Sequence, residues 1–68
     1  MEEKKQVEVY IEVKKMLALL DALAELIRFN REQGYPEIAS WYKNVFDDVL
    51  PATEKLAGCN LKYKGVNA

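Results

Sequence analysis

Histidine is absent from the sequence, and cysteine occurs once, as Cys59. Without histidine the chain lacks the most common general base near neutral pH and the imidazole ligands of many metal sites. A single cysteine excludes a disulfide within the chain. The three glycines stand apart from one another, so no glycine-rich phosphate loop is present. These absences predict a protein that is not an enzyme and that binds neither a cofactor nor a metal.

The sequence also lacks an excess of one charge and a long apolar run. Ten basic and eleven acidic residues give a net charge of −1, so neither nucleic acid nor an anionic membrane is an expected partner. No stretch is apolar enough to span a bilayer. Residues 1–5 are mostly charged and do not lead into the apolar core of a secretory signal. With an unpaired cysteine, this pattern predicts a cytoplasmic protein.

Apolar residues are abundant, however, and their spacing is that of helices. Between Lys14 and Glu32 neither glycine nor proline interrupts a run of good helix formers. The first apolar stripe begins before this segment and is formed by Val9, Val13, Met16, Leu20, Leu23 and Ile27. A second stripe is formed by Ile38, Tyr42, Val45, Val49, Ala52 and Leu56. Both stripes step by three and four residues, which is typical of one face of a helix.

A tight break separates the two stripes. Gly34 can end the first helix in the left-handed conformation, and Pro36 suits the first position of the second helix. Gly58 supplies the next stop. The sequence therefore predicts one mainly α domain over residues 1–68: an antiparallel helical hairpin with helices at about 14–32 and 36–57.

Pro51 falls inside the second predicted helix. A proline there either ends the helix after Leu50 or leaves it continuous with a bend. The apolar spacing passes unbroken from Val49 through Ala52 to Leu56. We therefore favour a continuous helix, with Pro51 on its polar side.

The N-terminal stretch gives two conflicting indications. Val7, Val9, Ile11 and Val13 alternate with polar residues, which favours a short β-strand at about 6–13. Val9 and Val13 also continue the stripe of the first helix, so a helical extension stays open. Leu61 and Tyr63 alternate with lysines in the same way. They suggest a second strand, antiparallel to the first, while Cys59 is expected to close the apolar seam as a small buried side chain.

The first helix is more apolar than one partner helix can cover. Leu19 and Leu26 widen its stripe on one flank, and Leu17 widens it on the other. A chain of this length buries only about 60% of its unfolded surface, so its core is small. We therefore predict a homodimer with a four-helix arrangement, in which Leu17, Leu19 and Leu26 contribute to the interface.

Aromatic side chains concentrate near the turn and in the first half of the second helix. They either fill the core or form a binding surface, where tryptophan and tyrosine are enriched. The candidate partner-binding residues are Phe29, Tyr35, Trp41, Tyr42 and Phe46. We expect a small protein–protein interaction module, namely an adaptor, an inhibitor or an assembly subunit, with a protein partner whose identity the sequence does not disclose.

Two families share part of this pattern. Residues 34–39, followed by Tyr42 and Pro51, resemble the middle of a tetratricopeptide repeat, although Lys43 and Phe46 depart from its pattern. The order strand, helix, glycine turn and helix resembles ribbon-helix-helix repressors. That resemblance implies an obligate dimer and an alternative function as a DNA-binding transcriptional regulator. Glu8 and Glu12 would then face the DNA, and their charge has the wrong sign.

Overall fold

Two helices packed side by side make up most of the chain. A computed structural model describes residues 2–66, with the side chains of residues 6–66. Helix α1 spans Glu2–Glu32 and helix α2 spans Pro36–Ala57. The chain reverses direction between them, and the molecule measures 50 × 17 × 15 Å. The predicted mainly α hairpin is confirmed, and α2 has the expected bounds.

Helix α1 begins earlier than the sequence suggested. Residues 2–32 form one continuous helix and no β-strand occurs between residues 2 and 66, so the strand predicted at about 6–13 is wrong. Valine and isoleucine cost a helix only a few tenths of a kcal/mol per residue, whereas a two-stranded ribbon is weak by itself. Since the residues after Gly58 pack elsewhere, this stretch has no strand to pair with and stays helical.

The turn between the helices follows from Gly34. This glycine adopts the left-handed conformation, with φ at 81°. Its N–H donates to the Arg31 carbonyl, and the Tyr35 N–H donates to the Asn30 carbonyl at 2.8 Å. These two bonds form a Schellman motif, which satisfies carbonyls at the end of α1. Pro36 then starts α2 with a backbone angle that already suits a helix.

Helix α2 continues through Pro51, as predicted. The proline is exposed to solvent, where the carbonyl that loses its partner can be hydrated. Two residues later Thr53 is completely buried, and its hydroxyl donates to the Val49 carbonyl at 2.8 Å. Gly58, with φ at 72°, ends the helix and donates its N–H to the Glu54 carbonyl. The apolar face of α2 therefore keeps its phase over the whole helix.

The core lies between the helices but is not centred on the predicted stripe of α2. It consists of Leu20, Leu23, Ala24, Ile27, Ala39, Phe46 and Val66. On α2 the fully or almost fully buried line runs through Ala39, Phe46 and Thr53. Val45 and Leu56, which belong to the predicted stripe, remain exposed. The helix is thus turned so that Phe46 points inward and part of its apolar stripe is left uncovered.

The tail, residues 58–66, explains this rotation. It leaves α2 and runs back along the hairpin towards the turn, packing Leu61, Tyr63 and Val66 against the core. The Tyr63 ring meets the Phe46 ring edge-on, with ring centres 5.1 Å apart. Lys62 and Lys64 are exposed, so the predicted alternation is present. The predicted pairing of this segment with a first strand is wrong, because its partner is the pair of helices.

Polar contacts fix the tail at three points. The Leu61 N–H donates to the Glu54 carboxylate at 2.8 Å. Nearer the turn, the Arg28 guanidinium donates to the Lys64 carbonyl at 3.2 Å, and that of Arg31 donates to the Gly65 carbonyl. Cys59 precedes these contacts and is exposed, so the prediction that it closes the seam is wrong. The seam that Cys59 was expected to close is covered by other residues of the tail.

Candidate interaction surface

The two broad sides of the hairpin differ, because the tail covers only one of them. Successive residues of a helix are about 100° apart. On α1, Leu19 and Leu26 therefore point roughly opposite to Arg28, which binds the tail. On α2, Val45 points opposite to Glu54, which also binds the tail. Leu19, Leu26 and Val45 consequently share the side that the tail leaves uncovered.

We call this side the open face. It is formed by Met16, Leu19, Leu26, Ile38, Val45, Val49, Ala52 and Leu56. Several of these side chains are much more exposed than core residues: Leu19 by 45%, Leu26 by 39%, Val45 by 47% and Leu56 by 46%. Contiguous exposed apolar side chains are uncommon on soluble monomers and mark interaction surfaces.

No charged residue belongs to the open face between Met16 and Asn30 on α1 or between Ile38 and Leu56 on α2; one turn before Met16, Glu12 points in the same direction. Asn30 is buried, and its side-chain amide donates to the Leu26 carbonyl at 2.7 Å. Charged side chains gather on the tail side instead, namely Asp21, Arg28, Lys43, Asp47 and Glu54. This separation is what an apolar contact surface requires.

The predicted aromatic cluster is divided between the core and the surface. Phe46 is completely buried and Tyr42 is half-buried against the core, so these two belong to the interior. Phe29, Tyr35 and Trp41 are exposed by 57%, 55% and 67%. Phe29 lies on the outer side of α1 and Trp41 on the outer side of α2, so they border the open face on its two edges.

The predicted oligomer residues are also divided. Leu19 and Leu26 lie on the open face, and a shallow depression of about 430 Å³ beside Leu26 is lined by Ala22, Glu25 and Phe29. Leu17 is half-buried and points to the tail side of α1. Val45 and Leu56 were expected in the seam, yet they belong to the open face. The sequence did indicate that some apolar residues of α2 would lie outside the seam. Phe46 and Leu50 are apolar and adjoin the predicted stripe, so the apolar side of α2 is broader than one seam can cover.

The tail side carries mixed charges around Tyr63. A depression of about 440 Å³ is lined by Asp21, Ala22, Ala24, Glu25, Arg28 and Tyr63. Burial raises the pKa of the Tyr63 phenol, and the negative charge of Asp21 and the hydrogen bond that its carboxylate accepts raise that pKa further. The phenol is therefore held neutral, as a donor that fixes the tail. Among the described residues, no three acidic, cysteine or histidine side chains are grouped to hold a metal ion.

Replacing Tyr63 with phenylalanine should change how stability depends on pH. The folded chain favours the neutral phenol, so the Tyr63 contribution is complete below the ordinary pKa of 10.0 and is lost as the pH rises through the higher folded value. Above about pH 10 the wild type should therefore lose stability faster than Tyr63→Phe. Thermal melting of both proteins from neutral to alkaline pH measures the difference, and parallel curves would contradict the expectation.

No helix within residues 2–66 combines the length and the apolar character needed to cross a membrane. Comparison with known proteins identifies no relative: no family model matches the chain, and neither a curated protein nor a solved structure is significantly similar to it. Any function must therefore be inferred from the surface of the molecule itself.

Proposed function

We propose that this protein is a small non-enzymatic protein–protein interaction module that acts as a homo-oligomer, in the role of an adaptor, an inhibitor or an assembly subunit. The observation that carries the proposal is the open face, which is apolar, uncovered and without a charged side chain between Met16 and Asn30 on α1 or between Ile38 and Leu56 on α2. The opposite side differs because the chain covers it with its own tail. One side of the hairpin is therefore covered within the chain itself, and the other side is available to a protein partner.

The total surface of the chain supports association. Its accessible area is 5334 Å². A folded monomer of 7.8 kDa is expected to expose about 4,400 Å². The excess of about 950 Å² is close to the roughly 800 Å² that each partner buries in an interface of standard size. This excess is spread over the elongated chain, including the start of α1 that extends beyond α2, and it is large enough to supply one interface of this size.

The remaining parts of the proposal concern chemistry and location. Since the chain contains no histidine, it lacks the most common general base near neutral pH, and we infer no catalytic role and no cofactor. Cys59 is exposed and is the single cysteine, which fits the cytoplasm, where thiols stay reduced. A further protein partner would meet Tyr35, whose ring is exposed in the turn.

The alternative of a DNA-binding regulator receives no support from the fold. Ribbon-helix-helix proteins read DNA with a paired strand, and the corresponding residues 6–13 are helical here. Glu8 and Glu12 remain exposed on that segment and would repel phosphates. We therefore do not propose this function.

Placing a charge on the open face should dissociate the oligomer. Val45→Glu introduces a carboxylate at a half-exposed position, so the isolated hairpin can still fold, whereas burial of that charge in an interface is costly. We expect sedimentation equilibrium at micromolar concentration to show an oligomer for the wild type and a monomer for Val45→Glu. The matched control is Asn44→Glu, one residue away and pointing to the outer side of α2, which should remain oligomeric. A monomeric wild type, or equal association of both variants, would refute the proposal.

A further inference from the structure

We propose that the occupant of the open face is a second copy of this chain, packed with its two-fold axis parallel to the helices, so that α1 of each copy lies on α2 of the other. This inference rests on the proposed function and specifies its partner and its geometry. Both turns then lie at the same end of a four-helix bundle. The competing arrangement has the two-fold axis across the helices, which places α1 on α1 and the turns at opposite ends.

The apolar positions of the two helices are in register for this arrangement. Because Glu32 and Pro36 flank the turn, residues equally distant from it lie at about the same level along the hairpin. A rotation about an axis parallel to the helices preserves these levels. The open-face residues of α1 then meet those of the second copy's α2 at matched heights, in the pairs Met16 with Ala52 and Leu19 with Val49.

The exposed aromatic side chains favour the same arrangement. Phe29 and Trp41 lie at nearly equal levels but on the outer sides of different helices, so they do not meet within one hairpin. When α1 of one copy lies on α2 of the other, Phe29 comes beside Trp41 of the second copy along the outer seam. The competing arrangement brings Phe29 to the level of Leu17 instead. The parallel axis therefore covers two exposed aromatic side chains that the other axis leaves apart.

The N-terminal part of α1 gives a third reason. Helix α1 has 31 residues and α2 has 22, so α1 projects beyond α2 by about nine residues, or roughly 13 Å. Val7, Val9, Tyr10 and Ile11 are exposed there, over about 200° of the helix circumference, while Glu8 and Glu12 point in the direction of the open face. Exposed apolar side chains of a helix are covered when another helix packs on them. A parallel axis brings both projections to the same end, where they can pack together.

The charged rim is compatible with this geometry. Glu12 on α1 points in the direction of the open face at the level of Leu56, and Lys55 lies at nearly the same level on the outer side of α2. Across the proposed interface they become neighbours from different copies. Lys15 shares this level, so the rim carries charges of both signs. Such exposed pairs contribute little affinity, about 1 kcal/mol or less, and serve mainly to set the register.

The native Cys59 allows a direct test, because it is the single cysteine and is exposed. Spin labels attached to it in the full-length protein report the distance between the two copies. With a parallel axis both labels lie at the same end, and we expect a separation below about 30 Å, given interhelical distances of about 10 Å. With the competing axis they lie at opposite ends, more than about 40 Å apart at a rise of about 1.5 Å per residue.

Substitution of Phe29 tests the aromatic contact. Phe29→Ala should weaken dimerisation about tenfold or more, since exposed aromatic side chains at a seam are frequent binding hot spots. It should also shift the fluorescence of Trp41, the single tryptophan, to longer wavelength. Tyr35→Ala is the matched control: it removes an equally exposed ring in the turn, and it should change the dissociation constant by less than about twofold. Circular dichroism verifies that both variants remain folded.

The outcomes separate this inference from the proposed function. A dimer with a short label separation and a weakened Phe29→Ala variant supports both. A dimer with a long separation, or one that is indifferent to Phe29→Ala, overturns the parallel arrangement but leaves the interaction module intact. A wild type that remains monomeric overturns both.

Discussion

Replacing Phe46 with alanine is expected to unfold most of the chain. Phe46 is completely buried between the helices and also supports the tail through its edge-on contact with Tyr63. Truncation of a buried phenylalanine costs about 3–5 kcal/mol. A domain of this length has a total stability of roughly 3–10 kcal/mol, so this loss removes much or all of it. Urea denaturation followed by circular dichroism measures the change in the free energy of unfolding.

The neighbouring position provides the control. Asp47 is exposed and forms an ion pair with Lys43 one helical turn away. Because exposed ion pairs contribute about 0–1 kcal/mol, Asp47→Ala should be nearly silent. If Phe46→Ala were as mild as Asp47→Ala, the core could not be centred on Phe46, and the rotation of α2 described above would be incorrect.

Replacing Val66 with aspartate is expected to release the tail. Val66 is buried in the core, and its N–H donates to the Tyr63 carbonyl at 3.1 Å. A buried carboxylate without a partner is unfavourable, so the segment should leave the hairpin rather than bury it. The loss of stability should be about 2–3 kcal/mol, the value of burying one such side chain. Amide exchange at Val66 and Leu61 should accelerate together, while α1 and α2 remain helical.

A second variant in the tail separates docking from a general effect of charge. Lys62→Asp introduces a carboxylate into the same tail, but at an exposed position, so the new side chain points into solvent. Its amide exchange and its stability should stay close to those of the wild type. Equal acceleration of exchange in both variants would mean that the tail is held by its overall charge rather than by Val66.

Local signals in the sequence were sufficient to predict α2. Pro36 and Gly58 act through their own backbone angles, and those angles do not depend on distant residues. Residues 6–13 were different, because valine and isoleucine fit a strand or a helix and the choice depends on whether a second strand is available. The tail could have supplied that strand, but it packs on the hairpin instead. The alternation of Leu61 and Tyr63 with lysines correctly predicted which side chains point inward. It did not predict that these side chains contact the two helices instead of a strand.

The interaction surface was harder to predict for a related reason. Val45 and Phe46 are adjacent, and about 100° of helix rotation separates them. Which of the two enters the core depends on the tail, whose Tyr63 contacts Phe46 from 17 residues farther along the chain. The sequence therefore indicated that α2 has a wide apolar side, but not which half would be left exposed. Phe29, Tyr35 and Trp41 lie near the turn, as Tyr42 and Phe46 do, so the sequence left open which of these aromatic side chains enter the core.

The tail also has a consequence for the order of folding. The hairpin is built from contacts across a short turn, which a chain can form quickly because little loop entropy is lost. The bonds from Arg28 to Lys64 and from Arg31 to Gly65 instead join residues 36 and 34 positions apart. These distant contacts have no binding site until α1 and α2 lie side by side. We therefore expect the helices to pair first and the tail to dock last, so that the two sides of the hairpin become distinct only in the final step of folding.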